Sequence, residues 1–146
     1  MSDNKNPITM KILITIATVI YGVVPAIADV NETHLLNPEW SPHARVHGAW
    51  FLFFGWSMAM MSLFFLWVKD WIYIPCFVGL MFASGFWVAF LLAPLYGGSL
   101  TDPNGIEAKV LGLDGNVFTF SLVSAVLLST LAWKRASQAR VVSDPH

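Results

Sequence analysis

Gly48-Ala-Trp50-Phe-Leu-Phe-Phe-Gly55-Trp-Ser-Met-Ala-Met60-Met-Ser-Leu-Phe-Phe65-Leu-Trp-Val68 carries no charge, and Lys69-Asp70 alone separates it from a second uncharged run, Trp71 to about Leu95. An α-helix needs about 20 consecutive apolar residues to cross the hydrocarbon core of a bilayer, and ~17 suffices. Both runs reach that length. A two-residue link leaves no chain for a crossover, so the two helices have to be antiparallel neighbours. Two further uncharged runs, Ile12 to Ala28 and Asn116 to Trp133, flank this hairpin. The expectation is an all-α integral membrane protein: one domain over residues 1–146, folded as a four-transmembrane-helix bundle with spans at 12–28, 48–68, 71–95 and 116–133.

Composition agrees. Hydrophobic residues make up 56% of the chain and charged residues 12%, with a mean hydropathy of +0.63, which is membrane-protein territory. A net charge of −1 and the absence of a basic groove give no reason to expect a nucleic-acid partner. Cys76 is the single cysteine, so it forms no internal disulfide and reads as a buried spectator. CxxC pairs, Gly-rich phosphate loops and GxSxG elbows are absent from the sequence.

Basic residues orient the spans. Lys5, Lys11, Lys69, Lys134, Arg135 and Arg140 fall on one side, against Arg45 and Lys109 on the other. The positive-inside rule then puts both termini in the cytoplasm, most simply of a bacterial inner membrane. A competing reading makes the first run a secretory signal, with Ala26-Ile27-Ala28 as its cleavage site. The outer loops are 29–47 and 96–115. The second is rich in turn formers at Gly97-Gly98 and Asn104-Gly105 and is expected to hold a short helix at Ile106 to Leu111. The polar tail after Trp133 is expected to fray.

Chemistry concentrates where the first outer loop enters the second span: Asn37-Pro-Glu-Trp40-Ser-Pro-His43-Ala-Arg45-Val-His47. Ser41 suits the N-cap and Pro42 the first helical position. His43 and His47 are four apart and share a helical face. The positive end of the helix dipole there favours the neutral imidazole that ligates metals. His34 can fold back across the turn at Asn37-Pro38 as a third ligand, so the candidate metal set is His34, His43 and His47. No glutamate sits between the histidines as in HExxH, so zinc-peptidase chemistry is not indicated. The alternative is that these rings only hydrogen-bond the outer loops. Arg45 is expected to pair with Asp102 or Asp114, or with an anionic group such as a haem propionate.

Projected at 100° per residue, the second span has two faces. His47, Phe51, Phe54, Met58, Met61 and Phe65 form an aromatic and thioether stripe able to line a flat apolar ligand, or simply to meet lipid. Gly48, Leu52, Gly55, Ala59 and Ser62 form a small-residue face that permits close helix approach. Gly79 and Ala83 repeat that pattern on the third span, so Gly55, Ala59, Gly79 and Ala83 are the expected contacts for helix packing, for a second copy or for a membrane partner.

At Ala44-Arg45-Val46-His47 the chain resembles styrene oxide isomerases, small four-span bacterial membrane enzymes that convert an aryl epoxide to an aldehyde. Length, span number, the Gly-rich stretch at Pro103-Asn104-Gly105 and the run Gly115-Asn116-Val-Phe118-Thr-Phe120 share in the likeness. The resemblance implies a haem b held between subunits, His47 as its axial ligand, and iron acting as a Lewis acid on the epoxide oxygen. The family's catalytic tyrosine corresponds to Trp87 in Ser84-Gly85-Phe86-Trp87, an asparagine corresponds to Phe53, and a helix-three aspartate has no counterpart near Gly79. Two functions follow as expectations. One is a His47-based haem or metal site, lined by Arg45, Phe51, Phe54 and Met58, with isomerase-like chemistry on an apolar substrate. The other is a non-catalytic accessory subunit of a larger membrane complex. A transporter is disfavoured because no ionisable residue lies well inside a span.

Overall fold

The computed structural model describes residues 5–101 and 109–143, with the side chains of 141–143 left aside. Its elements are α1 (Ile8–Gly22), α2 (Val24–Ala28), α3 (Pro42–Trp67), α4 (Tyr73–Tyr96), β1 (Lys109–Val110), β2 (Leu113–Asp114) and α5 (Gly115–Ser143). Four helical stretches are long and apolar enough to cross a membrane: Ile8–Ala28, Pro42–Trp67, Tyr73–Tyr96 and Gly115–Arg140.

The first span is interrupted between Gly22 and Val24. Pro25 has no amide hydrogen for the carbonyl four residues back, and its ring crowds that carbonyl, so the helix restarts. Gly22 sits at this break against α3, where a Cβ would collide with the Cβ of Ala59. The buried residues of α1 are Met10, Ile14, Ala17, Thr18, Tyr21 and Gly22, a stripe at helical spacing.

That stripe makes α1 the centre of the bundle. It packs against α3, α4 and α5, while α4 also touches α3 and α5; among the described residues α3 and α5 do not meet. In cross-section α1 and α4 lie on the short diagonal of a rhombus. Tyr21 crosses that diagonal: a Cβ on Gly79 of α4 would lie 3.0 Å from its ring and 2.6 Å from Leu127 of α5. Its hydroxyl is 3.1 Å from Ser62 Oγ of α3. α1 is thus in contact with all three of the other long helices.

The expected small face of α3 is the buried one, with Gly55, Ala59, Ser62 and Leu66 inside, and α4 buries Pro75, Cys76, Gly79 and Ala83. Gly55, Ala59, Gly79 and Ala83 thus serve packing within the single chain. Aromatic rings fill the adjoining layer, where Phe82 contacts Tyr21, Phe51 and Phe120 at centroid distances of 5.2, 5.7 and 6.4 Å.

Two expectations about the ends are corrected. Residues 109–111, expected in a short helix, instead enter a β-hairpin whose Leu111 (φ 53°) and Gly112 (φ 82°) are both left-handed. Two positive φ angles are what a tight two-residue hairpin loop demands. Residues 106–108 of the expected helix lie outside the described residues. The tail after Trp133 does not fray there: α5 continues to Ser143, because Lys, Arg, Ala and Gln propagate a helix well. Tyr73 also donates to Gln138 Oε1 at 2.7 Å, tying the extension to α4.

Candidate functional site: the histidine pair at the loop end of α3

Helix α3 begins at Pro42, and Ser41 Oγ accepts from the Ala44 amide at 3.2 Å. This cap fixes the first turn and sets the azimuth of His43 and His47. Their Nε2 atoms face each other at 3.1 Å, and the rings meet edge to face with centroids 4.6 Å apart. Both histidines are exposed. A hydrogen bond at this distance needs one ring to donate and the other to accept, so the pair shares one bridging proton. The indole of Trp50 lies 6.1 Å beyond the His47 ring.

The preceding loop is ordered by its asparagines. Asn31 Oδ1 accepts from the Thr33 and His34 amides at 2.8 and 3.0 Å, and its amide donates to the Ala28 carbonyl. Asn37 is buried, and its Oδ1 accepts from the Glu39 amide at 2.9 Å. Such side-chain-to-backbone bonds are what make asparagine a turn former. Trp40 and Leu35 then lie over Gly48, where a Cβ would be 3.1 and 3.4 Å from them.

Arg45 closes this loop. Its Nη2 donates to the carbonyls of Asn37 and Pro38 at 3.0 and 3.4 Å, and its Nε is buried without a partner. The expected pairing with Asp114 is corrected: that carboxylate accepts instead from the amides of Asn116 and Val117, capping α5. A short side chain beside its own helix start finds those amides first. Asp102, the other expected partner, lies outside the described residues.

His34 is held in the Asn31 turn, its Nδ1 2.8 Å from Thr33 Oγ1. Among the described residues no three His, Cys, Asp or Glu side chains gather where they could hold a metal. The structure therefore brings His43 and His47 together and leaves His34 in its own turn. Beneath the pair the stripe is graded, with Phe51 and Phe54 exposed at 58% and 51%, while Met58, Met61 and Phe65 are half-buried.

A polar cluster at the opposite end, where α1 begins and α5 ends, went unread in the sequence. Asp70 takes a left-handed φ of 55° in the α3–α4 turn and accepts from the Asn6 amide and Lys11 Nζ, both at 2.9 Å. Trp67 donates to Thr15 Oγ1 at 2.9 Å, and Lys11 Nζ lies 4.8 Å over the Trp67 ring. Partial burial raises the Asp70 carboxyl, but the bonds from Asn6 and Lys11 and the Lys11 charge outweigh it and hold it below the usual carboxylate value. Opposite charges at the same end of adjacent spans were the available signal.

A family model described as "Family of unknown function (DUF6640)" matches residues 13–136, which includes the two middle spans, most of the outer two and the histidine pair. The chain belongs to that family. No curated protein and no solved structure matches it.

Proposed function

We propose that this family member is an integral membrane protein whose loop end carries a two-imidazole site for a borderline transition metal. The observation that carries it is the 3.1 Å separation of His43 and His47 Nε2. Two nitrogens so spaced and each ~2.0–2.1 Å from one ion subtend roughly 95–102° at it, between the square-planar and tetrahedral angles. The chelate needs no change of helix geometry, only a tautomer change in the donor ring that moves its proton from Nε2 to Nδ1, so that both Nε2 lone pairs face the ion. Imidazole ligation suits zinc, copper and nickel, and solvent or another chain would complete the coordination.

A second reading is favoured by the exposed aromatic stripe below His47. A haem b ligated by His47, lying along Phe51 and Phe54 with Arg45 and Met58 nearby, would supply a Lewis-acidic iron for isomerase-like chemistry on an apolar substrate, as the likeness to styrene oxide isomerases implies. This requires His43 to swing away from the ligand nitrogen, so the geometry fits the chelate better. The accessory-subunit reading draws on no particular contact.

The readings separate experimentally. Metal titration of the detergent-purified protein, followed by calorimetry, is expected to give a site lost in both His43→Ala and His47→Ala. Haem supplementation giving a Soret band that only His47→Ala abolishes would replace the chelate with haem. Neither response would overturn both. For orientation, six basic residues at the terminal end against Arg45 and Lys109 support cytoplasmic termini in a bacterial inner membrane. Labelling of a single engineered cysteine in the 29–41 loop by a membrane-impermeant reagent on intact cells tests it.

A further inference from the structure

At the terminal end a cleft of about 260 Å³ opens between Asn6, the turn from Asp70 to Ile74, and Lys134 of α5. At ~30 Å³ per water it has room for roughly eight or nine water molecules, enough for a phosphate and its ester arms. Its two charged groups differ in their circumstances. Asp70 is engaged by Asn6 and Lys11. Lys134 is half-buried, and among the described residues no acceptor lies within hydrogen-bonding or ion-pair distance of it. Once the Asp70–Lys11 pair is cancelled, the cleft holds one uncompensated cation. An ammonium partly withdrawn from water is costly unless an anion meets it.

The rest of the lining decides which anion. Trp71 and Tyr73 stand at the end of the spans, where amphipathic rings mark the level of lipid headgroups. Directly along α4 from the cleft, Tyr73, Phe77 and Met81 recur at i, i+4 and i+8 and are exposed at 44%, 63% and 51%. A cleft at the boundary with Lys134 and Asp70 on its wall thus lies at the head of an apolar track running down the span. We propose that this groove binds an anionic phospholipid, with Lys134 on the phosphate and the acyl chains along Tyr73, Phe77 and Met81. A zwitterionic lipid brings its own cation and gains less from a single lysine. A free phosphate makes no use of the track.

Native mass spectrometry of the full chain, released from detergent micelles doped with phosphatidylglycerol or phosphatidylcholine, tests this. Wild type is expected to retain phosphatidylglycerol preferentially. Lys134→Gln should lower that retention about fivefold, the worth of one basic residue near an anionic surface. Lys134→Arg should restore it, and Lys69→Gln, at the exposed neighbouring lysine, should leave it unchanged. Ile74→Trp, which fills the cleft without altering charge, should also lower it and decides the matter if Lys134→Gln does not fold. Equal retention by wild type and both variants, equal loss in Lys69→Gln, or full displacement of the lipid by inorganic phosphate would overturn the proposal.

Discussion

At the terminal end Asp70 draws Asn6 and Lys11 onto the α3–α4 turn while Trp67 reaches across to Thr15, so two segments distant in sequence are joined by polar bonds. At the loop end His43 and His47 hydrogen-bond each other and stand in the open. One cluster links elements, so its loss should be felt through the fold. The other lies within two turns of one helix whose position is already set by the Ser41 cap and the Arg45 latch. Polar side chains that join elements are structural, and a pair that joins nothing is free to bind. Mutations at the two ends should therefore fall in opposite classes.

The largest effect is expected at Asp70. Asp70→Asn removes the ion pair with Lys11 and weakens the acceptor that holds Asn6, and should destabilise the detergent-solubilised protein by about 2 kcal/mol, the scale of hydrogen bonds to a charged group. Thermal unfolding checks it, and an unchanged midpoint would break the contrast at its stronger side. Acid should reproduce the effect. The Asp70 carboxyl is depressed in the folded state, so its contribution is complete above the ordinary carboxylate range, ~pH 4–5, and is lost as pH falls through the lowered value. The Asn variant should lack that acid-dependent loss.

Arg45 tests the latch. Arg45→Met keeps the aliphatic stem but frees the carbonyls of Asn37 and Pro38, and should cost about 1–1.5 kcal/mol. Hydrogen exchange should quicken in the loop preceding α3, while the terminal end stays protected. Global loosening would mean that the loop end is coupled to the core more tightly than its contacts imply. A smaller change is expected at Trp67→Phe, which retains the ring under Lys11 but forfeits the bond to Thr15, at about 0.5–1 kcal/mol.

The sequence disclosed what depends on periodicity and length. An uncharged run of spanning length, a two-residue link and the small stripe at Gly55, Ala59 and Ser62 are local patterns, and the four apolar helices with that face buried follow from them. Which helix occupies the centre was hidden. The α1 stripe shows its meaning only when Tyr21 is seen between Ser62 and Gly79, partners 41 and 58 residues away in the chain. Leu111 misled because a left-handed leucine is forced by the hairpin around it rather than preferred. Arg45 was assigned a carboxylate because guanidinium–carboxylate pairing is the common arrangement, yet two carbonyls eight and seven residues upstream were nearer. The i,i+4 histidines were readable because a helix guarantees their proximity. His34 was not, because its partners are set by an asparagine turn.

The smallest stability change, and the sharpest discrimination, is expected at the histidines themselves. His43→Ala and His47→Ala each remove one exposed ring and one hydrogen bond within a helix that is capped independently, so without metal each should shift stability by no more than about 0.5 kcal/mol. Metal should then divide what apo stability does not. A ligand that binds only the folded state at one hundred times its dissociation constant stabilises by about 2.7 kcal/mol, so wild type should gain that much with zinc or copper and the single-histidine variants far less. The comparison between the ends would then invert on loading. A loop end that contributes almost nothing alone would match the Asp70 cluster once both imidazoles share an ion, as expected if their approach to 3.1 Å serves ligand capture rather than folding.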